Sequence, residues 1–220
     1  MSQIRLHHVP ASRSFRVLWL LAEMGTDCAI ETYDIAGGSL RSPEYLALNP
    51  SGRVPALEVD GRVLMESGAI VEYLCETRPE HGLGRLPGDP ERADYLQWMH
   101  FAETQATLVQ ELNLQWIFMP AEMRSKAVLQ VQARRLAATA KVLEAALSER
   151  DWLLPSGFSA ADVMMGFNVF ALPYYIKMEK FPAITAYRAR IEERPAYQAA
   201  RARDGQQKFY AQDYYDPEAL

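Results

Sequence analysis

The sequence predicts a small mixed α/β domain followed by an all-helical one. Strand and helix signals alternate over the first 80 residues, a Pro- and Gly-rich stretch (RPEHGLGRLPGDPE) interrupts the chain near residues 78–90, and strand signals vanish beyond it. The boundaries drawn from these observations are an α/β domain over 1–80, a linker over 81–90 and a helical domain over 91–220.

Residues 4–9 read as a short strand ending at Pro10. From Ser14, the residues Val17, Leu20, Leu21 and Met24 recur at helical spacing, and Gly25 stands where a C-terminal cap belongs. Residues 29–35 form a second candidate strand. Ser42-Pro43-Glu44 is a compact helix start, with a capping oxygen, Pro at the first helical position and an early acid. The run Asn49-Pro50-Ser51-Gly52 breaks the chain. PALEV and RVLM then flank Asp60-Gly61, a two-residue hairpin signal. Ser67 is expected to cap a following helix in which Ile70, Tyr73 and Leu74 share a face. The expected order is β-α-β-α-β-β-α.

In the second half, Tyr95, Trp98, Ala102, Ala106 and Val109 trace one helical stripe. Leu136, Ala140, Leu143 and Leu147 trace another, and Ile184, Tyr187 and Ile191 a third that Pro195 ends. The last ~15 residues are polar and aromatic and are expected to drape over a surface. In Phe158-Ser159-Ala160-Ala161-Asp162-Val163, Ser159 is an N-cap, Asp162 stands where a capping box returns its bond, and Phe158 and Val163 occupy the staple positions. Asp162 is therefore read as structural.

The chain has 220 residues, 49% of them hydrophobic and 23% charged, with a formal net charge of −5. This balance supports a buried core and argues against nucleic-acid partners, which need a basic footprint. No run approaches the ~20 apolar residues of a membrane span, and the N-terminus lacks a signal pattern, so no membrane partner and a cytoplasmic location are expected. Cys28 and Cys75 stand far apart, a spacing that suits neither a zinc site nor a disulfide framework. No metal is expected.

The informative segment is Asn49–Leu74, NPSGRVPALEVDGRVLMESGAIVEYL. Pro cannot donate to a strand ladder and tolerates a cis peptide bond, so Val54-Pro55 suits a strand start with exposed backbone. There Val54 can offer its N–H and C=O to an extended peptide. Glu66-Ser67 follows the hairpin where a helix begins, so the helix amides and the hydroxyl can accept a carboxylate while Glu66 takes an ammonium. Together these suit a short peptide bearing an amino-acid end group.

NPSGRVPAL, ESGAIVEYL and SGFSAADV, in this order and spacing, resemble the glutathione transferase family over nearly the whole chain. The resemblance implies a thioredoxin-like α/β N-terminal domain followed by an all-α helical bundle. Pro55 would be the cis-proline, Val54 the backbone partner of the glutathione cysteine, and Glu66 and Ser67 the holders of the γ-glutamyl end. Arg53 lies where the family often has a basic residue near the ligand. The resemblance further implies glutathione as co-substrate, a small hydrophobic electrophile as second substrate, and a homodimer.

Thiolate, not thiol, is the nucleophile, and a hydroxyl at a helix start would favour it. The family carries its activating group just after the first strand, where this sequence has Ala11-Ser12-Arg13-Ser14. Alignment on Arg16 puts Ser12 at the serine-class position, with Ser14 as the fallback. Either serine can instead simply cap the first helix. His7 and His8 alternate across the strand, so at most one faces the site, and both are read as structural.

No Cys lies between Pro10 and Arg16, which disfavours redox chemistry through a protein thiol. Arg13 replaces the Cys of the isomerase branch's Ser-Ser-Cys pattern, and no Tyr ends the first strand. The resemblance builds the electrophile pocket from the helical domain and first helix; Trp98, Phe101, Glu103, Trp116 and Phe118 are candidates, more simply read as core. The leading expectation is glutathione conjugation. A non-catalytic glutathione-fold module and glutathione-dependent peroxidase or disulfide reductase chemistry stand as alternatives.

Overall fold

The computed structural model describes residues 4–217. Contacts divide the chain into two units: the residues up to Gly84 together with Glu193–Lys208, and Arg85–Glu192 together with the residues from Phe209 onward. The first unit is a mixed sheet with helices and the second unit is helical, the division the sequence predicts.

The first unit is built on β1 (Arg5–His8), β2 (Ala29–Thr32), β3 (Ala56–Val59) and β4 (Arg62–Met65), in the order β2-β1-β3-β4. β2 runs parallel to β1, β3 antiparallel to β1, and β4 antiparallel to β3. The parallel pair needs a crossover, and α1 (Ser14–Glu23) supplies it. Phe15 to Leu21 are all buried in α1, and Gly25 adopts the left-handed conformation (φ 60°) just beyond the helix end. Asp60 and Gly61 both take positive φ, the geometry of the tight hairpin between β3 and β4.

β2 ends at Thr32, short of the stretch to residue 35 that the sequence indicates. There Asp34 Oδ1 accepts the Ala36 N–H at 3.0 Å and Ser39 Oγ accepts the Asp34 N–H at 2.8 Å, local bonds that replace a ladder. α2 (Pro43–Leu48) begins as expected, with Ser42 Oγ accepting the Tyr45 N–H at 3.2 Å.

α8 (Pro195–Asp204) packs against α1 inside the first unit, although the sequence places 91–220 in one helical domain. Tyr197 meets Phe15 and Trp19 edge-on at ring separations of 5.6 and 5.1 Å. Arg194 grips the Glu23 carboxylate with two bonds of 2.7 Å. The link is made of aromatic edges and a forked ion pair, neither of which leaves a local periodic signature.

The second unit contains α4 (Arg92–Asn113), α5 (Lys126–Ser148), α6 (Ala160–Val169) and α7 (Pro182–Glu192). α6 is buried almost throughout, and Asn168 donates from Nδ2 to the Ala102 carbonyl of α4 at 2.7 Å. Its capping box is complete: the Asp162 carboxylate accepts the N–H groups of Ser159 (2.8 Å) and Leu153 (3.0 Å) and the Tyr187 hydroxyl (3.0 Å). Burial raises this carboxyl to about 6 against the hydrogen bonds that lower it. The tail packs on this unit, with Tyr210 stacked on Tyr174 at 3.8 Å and the Tyr215 N–H bonded to the Tyr174 carbonyl at 2.8 Å. No described helix is long and apolar enough to cross a membrane.

Candidate functional site

Strand register gathers the candidate residues at one end of the sheet. His7 faces Ala56 across β1 and β3, and Ala56 faces Met65 across β3 and β4. The chain leaving β1 toward Ser12, the Val54–Pro55 entry into β3 and the Glu66–Ser67 exit from β4 therefore share one edge of three adjacent strands.

The Val54–Pro55 peptide bond is cis. Val54 is half-buried, and neither its N–H nor its C=O has a hydrogen-bond partner among the described residues. The residue before it is held firmly. The Arg53 carbonyl accepts Asn49 Nδ2 at 2.7 Å and the Tyr45 hydroxyl, while the Arg53 side chain is exposed. Burial pushes the Tyr45 phenol up to about 12, so it stays a neutral donor. Asn49 Oδ1 in turn accepts Ser51 N at 3.1 Å and Ser51 Oγ at 2.6 Å. Gly52 closes the turn at φ 62°, where a Cβ would stand 2.7 Å from Arg41 Nη1. The loop thus presents the unpaired N–H and C=O of one residue, Val54, on a rigid support.

Glu66 departs from ordinary backbone geometry, with φ 68° and ψ 113°. A non-glycine residue in this region costs ~1–3 kcal/mol and persists only where its surroundings over-determine it. Its side chain is exposed and has no partner among the described residues. α3 (Ser67–Thr77) begins at Ser67 itself, and Glu66 occupies the cap position without a side-chain cap bond. The expectation that Ser67 caps this helix is corrected: its hydroxyl accepts Arg16 Nη1 at 3.0 Å, and both residues are buried.

Ser12 is half-buried in the loop after β1, following Ala11, which is held at φ 58°. Neither Ser12 nor Ser14 caps α1 with its side chain, because Arg13 holds the cap position and makes no such bond. Ser12 Oγ lies 2.7 Å from Ser14 Oγ and accepts the Ser14 N–H at 3.3 Å. Ser14 is fully buried and reaches His8 Nδ1 at 2.8 Å. His7 points the other way, to Tyr33 and Glu58 at 3.0 and 2.9 Å.

The glutathione S-transferase N-terminal domain model matches residues 1–76, and the C-terminal domain model matches residues 109–195. The chain is 30% identical over 212 residues to glutathione S-transferase 3 of Zea mays, covering 90% of this chain and 93% of that one.

The chain belongs to the glutathione S-transferase family.

Among solved structures, a sphingomonad glutathione S-transferase complexed with glutathione is 29% identical with a TM-score of 0.80, covering 92% of this chain and 100% of that one. A shorter match, 47% over 85 residues, is to the maleylacetoacetate isomerase of Pseudomonas aeruginosa and covers 37% of this chain and 39% of that one.

This glutathione S-transferase family member has site features that sequence reasoning missed. Asn49 reads as a chain breaker and Arg16 as an alignment mark, yet both hold site backbone or side chains in place. A buried Arg in an apolar helix face is the signal that marks Arg16, since an unpaired buried guanidinium is costly. Trp98, Phe101, Glu103, Trp116 and Phe118 all lie in the second unit. There Trp98 is buried, Phe118 is half exposed, and the Trp116 ring lies 5.5 Å from that of Tyr215. Among the described residues no cluster of three or more His, Cys, Asp or Glu side chains could hold a metal ion.

Proposed function

We propose that this chain binds glutathione at the shared sheet edge and transfers its thiolate to a small hydrophobic electrophile. The observation that carries this reading is that the unpaired main-chain N–H and C=O of Val54 lie at the same edge as the Glu66–Ser67 helix start. The donor set fits a γ-glutamyl tripeptide. Val54 pairs with the cysteinyl backbone beside cis-Pro55, Glu66 takes the α-ammonium, and Ser67 with the first-turn amides of α3 takes the α-carboxylate. Arg53 supplies positive charge nearby. Ser12, the half-exposed hydroxyl after β1, donates to the sulfur and favours its anion. Following the family, the chain is further proposed to act as a homodimer in the cytoplasm.

The test is retention on immobilised glutathione, then turnover with a chlorinated aromatic electrophile. Ser12→Ala is expected to lower kcat by ~10–100-fold with little change in glutathione affinity. If Glu66→Ala and Ser67→Ala both leave that affinity unchanged, the assigned site is wrong. Retention without turnover, unaltered by Ser12→Ala, would favour a binding module. Turnover of a hydroperoxide in preference to the haloarene would favour peroxidase chemistry.

The 47% identity over 85 residues to a maleylacetoacetate isomerase favours one second reading, an isomerase acting on maleylacetoacetate. Against it, Arg13 stands where the isomerase pattern has Cys. Turnover of maleylacetoacetate with no haloarene conjugation would establish it.

A further inference from the structure

A continuous line of hydrogen bonds runs from the half-exposed Ser12 hydroxyl into the interior of the first unit. Ser12 Oγ meets Ser14 Oγ at 2.7 Å, Ser14 Oγ meets His8 Nδ1 at 2.8 Å, and His8 Nε2 meets the main-chain oxygen and Oδ1 of Asp204 at 3.0 and 3.3 Å. Ser14 and His8 are fully buried and Asp204 is 1% exposed, so three polar side chains of the line are kept from water. A single structural bond would need none of this length. The three buried residues come from β1, α1 and the C-terminal end of α8, and Ser12 from the loop between β1 and α1.

The partners set the proton positions. Among the described residues, His8 Nε2 faces acceptors on Asp204 alone, so it carries the hydrogen and Nδ1 is left as an acceptor. Ser14 therefore donates its O–H to Nδ1, which is nearer than its other acceptor, the Val9 carbonyl at 3.3 Å. Ser14 Oγ, engaged as donor to the ring, accepts the Val9 N–H at 3.2 Å with one lone pair and the Ser12 O–H with the other. Ser12 Oγ then presents a lone pair outward. The groups around the ring are consistent with this polarity. On α8, Asp204 is ion-paired with Arg201 and also accepts the Ala11 N–H at 3.1 Å. Among the described residues of α1, Ser14 is the one hydrogen-bonded to the ring. Just past β2 the Tyr33 N–H bonds the His8 carbonyl, and the Tyr33 and Glu58 side chains engage His7 on the opposite face of β1.

We propose that His8 is the terminal proton acceptor of a buried relay, Ser12–Ser14–His8–Asp204, through which the bound glutathione thiol loses its proton. The proposal rests on the functional reading above. In the step, the S–H bond breaks and its electron pair stays on sulfur. The thiol proton bonds to Ser12 Oγ as the Ser12 proton passes to Ser14 Oγ and the Ser14 proton to His8 Nδ1. Thiol and imidazole become thiolate and imidazolium, and the Asp204 carboxylate faces the new charge. Each bond from the thiol to His8 Nδ1 reverses, while the His8 Nε2–H bond to Asp204 keeps its direction, so Ser12 ends by donating to the thiolate. After conjugation, His8 returns the proton along the same hydroxyls to solvent. His8 touches no substrate atom and acts as a positioning residue through Ser12.

The experiment compares wild-type protein, His8→Asn and Ser14→Ala. Calorimetry gives glutathione affinity, and the ultraviolet absorbance of bound thiolate is followed against pH. His8→Asn keeps an acceptor toward Ser14 but cannot take up a proton; Ser14→Ala cuts the line while leaving His8 and Asp204 in place. In both variants the thiolate midpoint is expected to rise by about one pH unit or more, a roughly tenfold loss of thiolate at mildly acid pH, with affinity for glutathione near wild type at high pH. An unchanged midpoint in either folded variant overturns the relay and leaves His8 as a structural clasp, while glutathione binding still stands. Failure of the wild-type protein to bind glutathione overturns the functional reading and the relay with it. Should His8→Asn not fold, the Ser14→Ala midpoint decides alone.

Discussion

Arg16 donates from Nη1 to Ser67 Oγ at 3.0 Å, joining the first turn of α1 to the first turn of α3 through two buried side chains. The pairing fixes the start of α3, and with it the amides beside Glu66, relative to the loop that carries Ser12.

Arg16→Met is expected to lower stability by ~2–4 kcal/mol, because the Ser67 hydroxyl loses a charged donor in a dry site. Arg16→Lys should recover part of the loss. Urea unfolding measures both, and glutathione affinity should fall in Arg16→Met even under conditions where the protein is fully folded.

Asn49→Ala removes the amide that anchors the Arg53 carbonyl and the oxygen that organises Ser51. A stability loss of ~2 kcal/mol is expected from one buried donor and one buried acceptor. Glutathione affinity should weaken about tenfold, since ~1.4 kcal/mol of that loop order then has to be restored on binding. Tyr45→Phe, which leaves Asn49 in place, should show the smaller effect by calorimetry.

Glu66→Gly predicts opposite signs for stability and binding. The positive φ at Glu66 is strained for any side chain, so glycine relieves it and should stabilise the fold by up to ~1 kcal/mol after its own entropic cost. The same change deletes the carboxylate proposed for the ammonium, and binding should fall more than tenfold. A melting temperature that drops would show that Glu66 supports the fold in some further way.

Asp162 sets a pH dependence of stability. Its folded-state value, raised to about 6 from 3.8, means the folded chain holds a proton that the unfolded chain has released. This contribution is fully present below about pH 4 and is lost as pH rises through about 6, a change on the order of 2–3 kcal/mol. Asp162→Asn should flatten that slope in urea midpoints measured between pH ~4 and ~7.5.

Much of this was legible from local pattern. The Asp60-Gly61 hairpin, the Ser42 cap, the Ser159–Asp162 capping box and the alternation of strands and helices all depend on residues close in sequence. Pro55 carried its own signal through the peptide bond before it. The features that escaped are those in which distant side chains meet. His8 and Asp204 are 196 positions apart, and Arg16 and Ser67 are 51 apart. Ser67 looked like a cap because serine at a helix start usually is one; the buried guanidinium claims its oxygen instead. His8 read as structural because alternation shows which face a side chain takes but not what waits there.

The placement of α8 has a consequence for how the molecule comes to exist. The sheet unit is not finished when its last strand and α3 are made, since Tyr197 and Asp204 arrive only after the whole of Arg85–Glu192 has been synthesised. Until then Phe15 and Trp19 lack their aromatic partner and the Ala11 turn lacks its carboxylate. A fragment ending at residue 84 would carry these open seams permanently, and on the ribosome the first unit must wait for Glu193–Lys208 to close it.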